Sequence, residues 1–265
     1  MASPNAVPVA KVVPTLESPR VRLRPYLASD AAAMFRLYSD PRVMRYWSFP
    51  PWTTLGQAQA YLERVQGEMA AGSSVLPWAI ATRADDCLVG TVTLFSLDLG
   101  QGRAETGYSL QPEFQGQGLA REALRLALGH AFDGLQLRRV EADVDPRNAP
   151  SCRLLEHLGF RREGLLRARW KVAGELCDSA MYGLLAEEFE RTREVILSIA
   201  EQGGLLEKNP VLFRSIRLRN PYVDPMSLIQ VDLLRRKRSG EQASTLDYAI
   251  GATMNGIAAG LHNTG

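Results

Sequence analysis

The amino-acid sequence predicts an α/β (α+β) fold in which helices flank a mixed, mostly antiparallel, twisted sheet. Apolar segments at 76–82, 88–97 and 105–110 are joined by connections too short for crossovers, which predicts an antiparallel meander. A strand, helix, strand unit over 105–144 then adds a parallel pair, because a chain that returns to the same sheet after a helix runs parallel. We expect these two strands to diverge, so that a central splay opens a cleft with a floor of backbone.

The elements before the meander follow from local patterns. Apolar and basic residues alternate over 20–24 and predict a first strand that ends at Pro25. Ser29 and Asp30 are helix-capping residue types, so a helix is expected from there to Tyr38.

A longer helix is predicted from Thr53 or Thr54 to Ala71, with Gly72 as the stop. Its apolar face is formed by Leu55, Ala58, Tyr61, Leu62 and Val65. The segment between the two helices carries an aromatic cluster, for which packing in the core or in a loop is one explanation. Its members are Tyr46, Trp47, Phe49 and Trp52.

The central feature is a Gly-rich loop between a strand and a helix, from Gln115 to Ala120. Pro112 ends the preceding strand, because proline cannot donate to a ladder. Gly116 and Gly118 lack a Cβ, so the backbone can turn sharply there and a ligand can approach it. Unpaired amides at a helix start, together with the helix dipole, form an anion site that fits a pyrophosphate. The glycines alone are also explained by a plain strand-to-helix connection.

The neighbours of the loop make the pattern more specific. Gln115-x-x-Gly118-x-Ala120 is preceded by Ala-Glu-Thr-Gly-Tyr at 104–108 and followed by Arg-Glu-Ala-Leu. This arrangement resembles the acetyl-CoA pyrophosphate loop of the GNAT superfamily of N-acetyltransferases, and most of all the branch of ribosomal-protein N-terminal acetyltransferases. The Rossmann and Walker spacings are absent. The resemblance implies the GNAT fold over 15–189, acetyl-CoA as co-substrate and an amine as acceptor.

A second stretch resembles the same branch. Asn148-x-x-Ser151 is followed by Leu-Leu-Glu-His-Leu-Gly-Phe at 154–160. Beyond it, a hairpin with its turn at Ala173-Gly174 leads into 178–185, which resembles the closing strand of that family.

The resemblance also implies site residues. Glu105 is the candidate base for the amine proton, unless it is a solvated strand-end carboxylate. Ser151 is the candidate donor to the leaving thiolate, and capping its helix is its competing or additional role. Asn148 positions Ser151 or the pantetheine arm, unless it forms an Asx-turn. In this fold the aromatic cluster often walls the acceptor pocket. The residues expected to bind the cofactor are Leu110, Gln115, Gly116, Gln117, Gly118, Leu119, Ala120 and Asn148.

Composition narrows the remaining function classes. A net charge of +2 implies no strong polyanion partner, so nucleic acid is not expected. The absence of an uninterrupted apolar run argues against a signal peptide or a membrane span.

Cys87, Cys152 and Cys177 are widely spaced, which predicts reduced thiols in a cytoplasmic protein and no metal site. His130 and His157 are expected to be ordinary packing or surface residues. With no nucleophile motif, direct transfer in a ternary complex is preferred over an acyl-enzyme.

The C-terminal residues resemble another family, at the extreme C-terminus of phosphoenolpyruvate carboxylase. An all-helical appendage over 190–265 is expected. The carboxylase barrel is missing, so carboxylation is not expected, although Arg219 and Asn263 correspond to residues that bind aspartate in that family. The matching segments are Asn209-Pro210, Leu218-Arg219-Asn220-Pro221-Tyr222-Val223-Asp224-Pro225, Asn255-Gly256-Ile257-Ala258-Ala259-Gly260 and Asn263-Thr264-Gly265.

The sequence therefore divides into a flexible arm (1–14), an acetyltransferase domain (15–189) and a carboxylase-like tail (190–265). Apolar residues of the tail, cut off from their barrel, are expected to dock on the first domain or on a second copy in a homodimer. Two functions remain open. One is an acetyl-CoA-dependent N-acetyltransferase acting on a protein N-terminus or a small amine. The other is a non-catalytic acyl-CoA-binding module whose tail docks onto partners or senses a dicarboxylate.

Overall fold

An eight-stranded sheet runs through the computed structural model, which describes residues 13–191. Its strands lie in the order β1-β2-β3-β4-β5-β6-β8-β7, and each neighbouring pair is antiparallel except β5 and β6, which are parallel. The mixed, mostly antiparallel sheet is thus confirmed. The strands are β1 (Leu16–Glu17), β2 (Val21–Arg24), β3 (Leu76–Thr82), β4 (Leu88–Asp98), β5 (Arg103–Leu110), β6 (Arg139–Val144), β7 (Arg161–Val172) and β8 (Glu175–Leu185).

Helices cover both faces of the sheet. Tyr38 shares a hydrogen bond of 2.8 Å with Thr91 on one face, and Trp78 contacts His130 edge-on at the other. We call these the α1 face and the α4 face. Side chains of a strand alternate between them, because the period of a strand is two residues. The helices are α1 (Ala31–Ser39), α2 (Pro41–Met44), α3 (Leu55–Ala71), α4 (Leu119–Gly129), which continues into a π-helical turn (His130–Gly134), and α5 (Ala149–His157).

The predicted start of α1 is correct, but its expected capping residue has another role. Asp30 makes no side-chain capping bond to α1. Its buried carboxylate accepts the amide of Leu27 at 2.8 Å and both Nη atoms of Arg24 at 2.8 and 2.9 Å. A buried carboxylate needs such partners, since an unpaired one would be strongly destabilising. The pair therefore ties β2 to the start of α1.

The long helix α3 has the predicted limits. The Gln57 side chain accepts the amide of Thr54 at 3.0 Å, and Gly72 ends the helix in the left-handed region at φ +87°. The predicted apolar face is wrong at one position. Leu55 is 43% exposed, and it is the first residue of the helix, whereas the buried residues of α3 begin at Ala58.

The β7–β8 hairpin turns where the sequence predicted it. Ala173 and Gly174 both have positive φ (49° and 91°), and Val172 faces Glu175 across the turn. β8 pairs with β6 and leaves β7 as the largely exposed edge of the described sheet.

The described body begins slightly before the expected domain boundary at residue 15. Val13 is buried, and the carbonyl of Pro14 accepts the indole N–H of Trp78 at 2.8 Å. The rest of the predicted arm lies outside the described residues, as does the predicted helical appendage beyond residue 191.

Candidate active site

The Gly-rich loop lies at the start of α4, and its backbone amides from Gly116 onward have no partner among the described residues. Gly116 and Gly118 have φ values of +72° and +80°, in the region that favours glycine, and Gly118 is the N-cap of α4. Within residues 13–191, no hydrogen bond is made by the amides of 116–121. Free amides beside the positive end of the helix dipole agree with the anion site that the sequence predicts.

Side chains of the loop brace it from within. The side-chain amide of Gln115 donates to the backbone carbonyl of Leu110 at 2.8 Å, and the side-chain amide of Gln117 donates to the backbone carbonyl of Glu113 at 2.7 Å. Eight residues were predicted to bind the cofactor. In three of them, Gln115, Gln117 and Leu110, a polar group is already hydrogen-bonded within the protein. The backbone of the loop is what remains available to a ligand.

A slot opens beside the loop, between β5 and β6. The two strands are in register only from Arg103 opposite Arg139 to Glu105 opposite Glu141. Beyond Glu105 they diverge, while β5 stays paired with β4, and β6 with β8. The edges of 106–110 and 142–144 therefore face each other without a partner strand among the described residues. The predicted central splay is confirmed, and its unpaired backbone suits the peptide-like arm of pantetheine.

Ser151 lies on the α4 face and bonds to a residue that sequence reasoning did not select. The hydroxyl of Tyr108, in β5, lies 2.6 Å from Ser151 Oγ. Burial raises the pKa of Tyr108 to about 12, although the hydrogen bond with Ser151 lowers it. The phenol is therefore protonated near neutral pH. Tyr108 and Ser151 form a pair of hydroxyls that spans the slot from β5 to α5.

Asn148 takes the capping role that was considered for Ser151. Its side-chain oxygen accepts the amide of Ser151 at 3.3 Å and begins α5, with Pro150 in the first turn. The expectation that Asn148 positions Ser151 agrees with this geometry. The hydroxyl of Ser151 makes no capping bond and is directed to Tyr108 instead.

Glu105 lies on the opposite face from the hydroxyl pair. Glu105 and Tyr108 are three positions apart along β5, so strand alternation places the two side chains on different faces. Glu105 shares the α1 face with Ser109, whose hydroxyl bonds Thr91 at 2.9 Å. Glu105 and Ser151 thus lie on opposite faces of the sheet, on the two sides of the slot.

The carboxylate of Glu105 has no hydrogen-bond or ion-pair partner within residues 13–191. Its neighbour across the parallel pair is Glu141, which Arg139 and Arg103 neutralise at 2.7 and 3.4 Å. Arg139 also pairs with Glu163. Of the two carboxylates, Glu141 is therefore compensated by arginines, whereas Glu105 has no positively charged partner within residues 13–191.

The aromatic cluster packs on the α1 face around Tyr38. Trp47 contacts it edge-on at a centroid distance of 5.7 Å, and Trp52 approaches to 4.8 Å. Tyr46 is absent from these ring contacts, and its ring is covered by Arg45. Packing against the core accounts for the cluster, and its place on the face of Glu105 is also suitable for an acceptor wall. The rings in contact are those of Tyr38, Trp47, Phe49, Trp52 and Tyr61.

Other groups have structural roles. His130 is buried beside Trp78, and burial lowers its pKa. The Nδ1 atom of His157 lies 2.6 Å from the carbonyl of Arg153, within the same helix. The three cysteines are free thiols. Within residues 13–191, no cluster of three or more His, Cys, Asp or Glu is arranged to hold a metal ion, and none of the helices there is long and apolar enough to cross a membrane.

An amide-lined loop at a helix start, beside a splayed strand pair, is the site of an acyltransferase that takes its acyl group from a nucleotide thioester. Residues 20–161 match the sequence model of the acetyltransferase (GNAT) domain family. The chain belongs to this family of acetyltransferases, whose co-substrate is acetyl-CoA. One relative, an uncharacterized N-acetyltransferase named p20 from Bacillus licheniformis, is 35% identical over 175 residues, which cover 66% of this chain and 98% of the relative.

Solved structures agree with this assignment. RimJ of Mycobacterium smegmatis, in complex with CoA-disulfide, is 30% identical with a TM-score of 0.61 and covers 67% of this chain and 90% of its own. The spermidine N-acetyltransferase from Vibrio cholerae, in complex with CoA and spermine, shares the fold at 24% identity and a TM-score of 0.57, over 64% of this chain and 97% of its own.

The C-terminal match is also confirmed. Residues 170–265 match the phosphoenolpyruvate carboxylase family. The carboxylase of Burkholderia vietnamiensis is 46% identical over 94 residues, which cover 36% of this chain and 9% of that protein. The chain therefore spans only a small part of the carboxylase.

Proposed function

We propose that this chain transfers an acetyl group from acetyl-CoA to a primary amine by direct attack in a ternary complex. The observation that carries the proposal is the continuity of the site. The unpaired amides of 116–120 offer a diphosphate site, the slot beside them suits pantetheine, and the slot lies between Glu105 and Ser151.

Each group then has a chemical role. The amine nitrogen attacks the thioester carbonyl from the α1 face, and Glu105 accepts the amine proton, directly or through water. The C–S bond breaks, and the departing thiolate takes a proton from the hydroxyl pair of Ser151 and Tyr108. The pair regains a proton from water, and Glu105 releases the amine proton to water, so that both groups return to their starting state. No covalent enzyme intermediate is needed, because the amine and acetyl-CoA are bound together and the amine reaches the thioester carbonyl carbon directly.

A panel of amines tests the proposal. Release of free CoA thiol is measured with N-terminal peptides and with small amines, including polyamines, since one structural neighbour carries spermidine in its name. Wild-type protein is compared with Glu105→Gln and Ser151→Ala. We expect both variants to lose about 10²- to 10⁴-fold in kcat/KM. Wild-type turnover in both variants would refute these roles.

A second function is favoured by the carboxylase-like tail. In it, the first domain binds acyl-CoA without catalysis, and the tail docks onto a partner or senses a dicarboxylate. The match of residues 170–265 to the carboxylase family supports this alternative. Acetyl-CoA binding without turnover on any amine of the panel would favour it, and the panel is therefore run with and without residues 191–265.

We also propose the domain limits 15–189 and 190–265, and a reduced, cytoplasmic setting that agrees with three free thiols.

Docking of the tail, or a homodimer, is supported by apolar side chains exposed on the β7–β8 hairpin. Light scattering that gives a monomer, together with immediate proteolytic loss of the tail, would argue against docking. These exposed residues are Leu165, Leu166, Trp170 and Leu176.

A further inference from the structure

A carboxylate in the first turn of α4 is almost fully buried and heavily bonded. The side chain of Glu122 is only 2% exposed. It accepts a hydrogen bond from the hydroxyl of Ser18 at 2.5 Å, and one from the backbone amide of Arg20 at 2.9 Å. The guanidinium of Arg20 adds Nε at 2.9 Å and Nη2 at 2.8 Å. Nε and Nη2 converge on the same oxygen, Oε2, and this two-point contact restricts the orientation of the guanidinium.

The same guanidinium also holds the Gly-rich loop. Nη1 of Arg20 donates to the carbonyl oxygen of Gln117 at 2.9 Å. In a trans peptide the C=O and the following N–H point in opposite directions. A carbonyl of Gln117 held toward Arg20 therefore directs the amide of Gly118 away from it, to the open side of the loop. Gly118 itself lies close to this contact, since a Cβ there would be 3.4 Å from Nη2 of Arg20.

We propose that Arg20 and Glu122 are positioning residues that preorganise the diphosphate site of the loop. The inference rests on the proposed binding of CoA at 116–120. Glu122 orients Arg20, and Arg20 fixes the peptide between Gln117 and Gly118 before the ligand arrives. A loop held in its binding conformation loses less entropy on association, so its affinity is higher.

A purely structural role would be different. Glu122 also ties the turn between β1 and β2 to α4, and its loss would then weaken the whole fold. The two roles differ in which part of the ligand they affect. Preorganisation of the loop affects only ligands with a diphosphate, whereas a loosened fold also affects the pantetheine slot.

Arg20→Lys in the full-length chain separates the roles. A lysine keeps a positive charge beside Glu122, but its single ammonium cannot reproduce the fork that bonds Glu122 and Gln117 together. The matched control is Arg22→Lys. Arg22 has almost the same side-chain exposure, 33% against 32%, and its partners Glu17 and Asp86 lie away from the loop.

Dissociation constants are measured for CoA by calorimetry and for pantetheine, which has no diphosphate, by NMR titration. We expect Arg20→Lys to weaken CoA binding about tenfold, since a factor of ten is a typical effect of one lost contact of about 1.4 kcal/mol. Pantetheine binding should stay unchanged, and Arg22→Lys should bind both ligands like wild type. Glu122→Gln, which leaves Arg20 without its charged partner, should show the same selective loss.

Two results would overturn the inference. One is wild-type affinity for CoA in Arg20→Lys, and the other is an equal loss for CoA and pantetheine. A wild-type protein that binds no CoA would instead refute the proposed function, and this appears before any variant is measured.

Discussion

The hydroxyl pair that spans the slot gives a quantitative prediction. Tyr108 and Ser151 lie 2.6 Å apart, and the phenol is protonated near neutral pH because its pKa is about 12. If the pair supplies the proton that the leaving thiolate needs, removing either hydroxyl removes general-acid catalysis. Such catalysis contributes about 10²- to 10⁴-fold in rate. We expect Ser151→Ala and Tyr108→Phe to lose similar factors, and the double variant to lose little more, because the two hydroxyls act as one unit.

The choice of donor makes the assay specific. Values of kcat/KM are measured with acetyl-CoA and with S-phenyl thioacetate, whose acidic aryl thiol leaves without a proton. The defect of both single variants should be large with acetyl-CoA and small with the aryl donor. Ser109→Ala is the control, because it removes a β5 hydroxyl bonded to Thr91 on the other face. It should cost about 1 kcal/mol in stability and leave the rate unchanged.

Two outcomes would refute this reasoning. Losses that add in the double variant would mean that the hydroxyls act separately. An equal defect with both donors would mean that the pair orients the thioester and does not protonate the thiolate.

Three further predictions concern the loop and the core. Gly118→Ala should weaken CoA binding in calorimetry, because at φ +80° a side chain costs about 1–2 kcal/mol and distorts the loop; unchanged affinity would contradict this. Asp30→Asn should lower the free energy of unfolding in urea by about 3 kcal/mol, since Arg24 would keep only the half-exposed Asp86 as a charged partner, and a loss below about 1 kcal/mol would disprove the role of the pair. Burial lowers the pKa of His130, so the unfolded chain binds its proton first and stability should fall as the pH drops below about 6.5. His130→Leu removes the titrating imidazole but keeps an apolar side chain against Trp78, so it should reduce that fall in stability. An unchanged pH dependence would exclude His130 as its cause.

Local patterns predicted most of the fold, because strands, caps and turns are encoded by neighbouring residues. The limits of β3 and β6, the stop of α3 at Gly72 and the turn at Ala173 follow from periodicity and glycine placement alone. The prediction for Leu55 was wrong because helical periodicity does not reveal at which turn a helix begins to be covered by its neighbours.

Contacts distant in sequence could not be predicted in this way. Arg20 and Glu122 are 102 positions apart, and Tyr108 and Ser151 are 43 apart. Each of these residues has an ordinary local explanation as a strand or helix residue. Only the folded sheet, with α4 and α5 packed beside it, brings them to the loop and the slot. The alternation of side chains along β5 could be read from the sequence, and it puts Glu105 and Tyr108 on different faces. This difference matters for the site only because β5 and β6 diverge beside these residues.

The carboxylase-like match begins inside the acetyltransferase sheet, and this decides where the two parts join. Residues from 170 onward match the carboxylase family, yet 175–185 form β8, which pairs with β6 on one side and β7 on the other. A chain cut at 170 would lose β8 and leave β6 with an unpaired edge beside the catalytic slot. Phe189 still packs on Phe132, at a ring distance of 5.1 Å. We therefore propose that the junction follows Phe189, so that a cut beyond it tests the tail without removing β8.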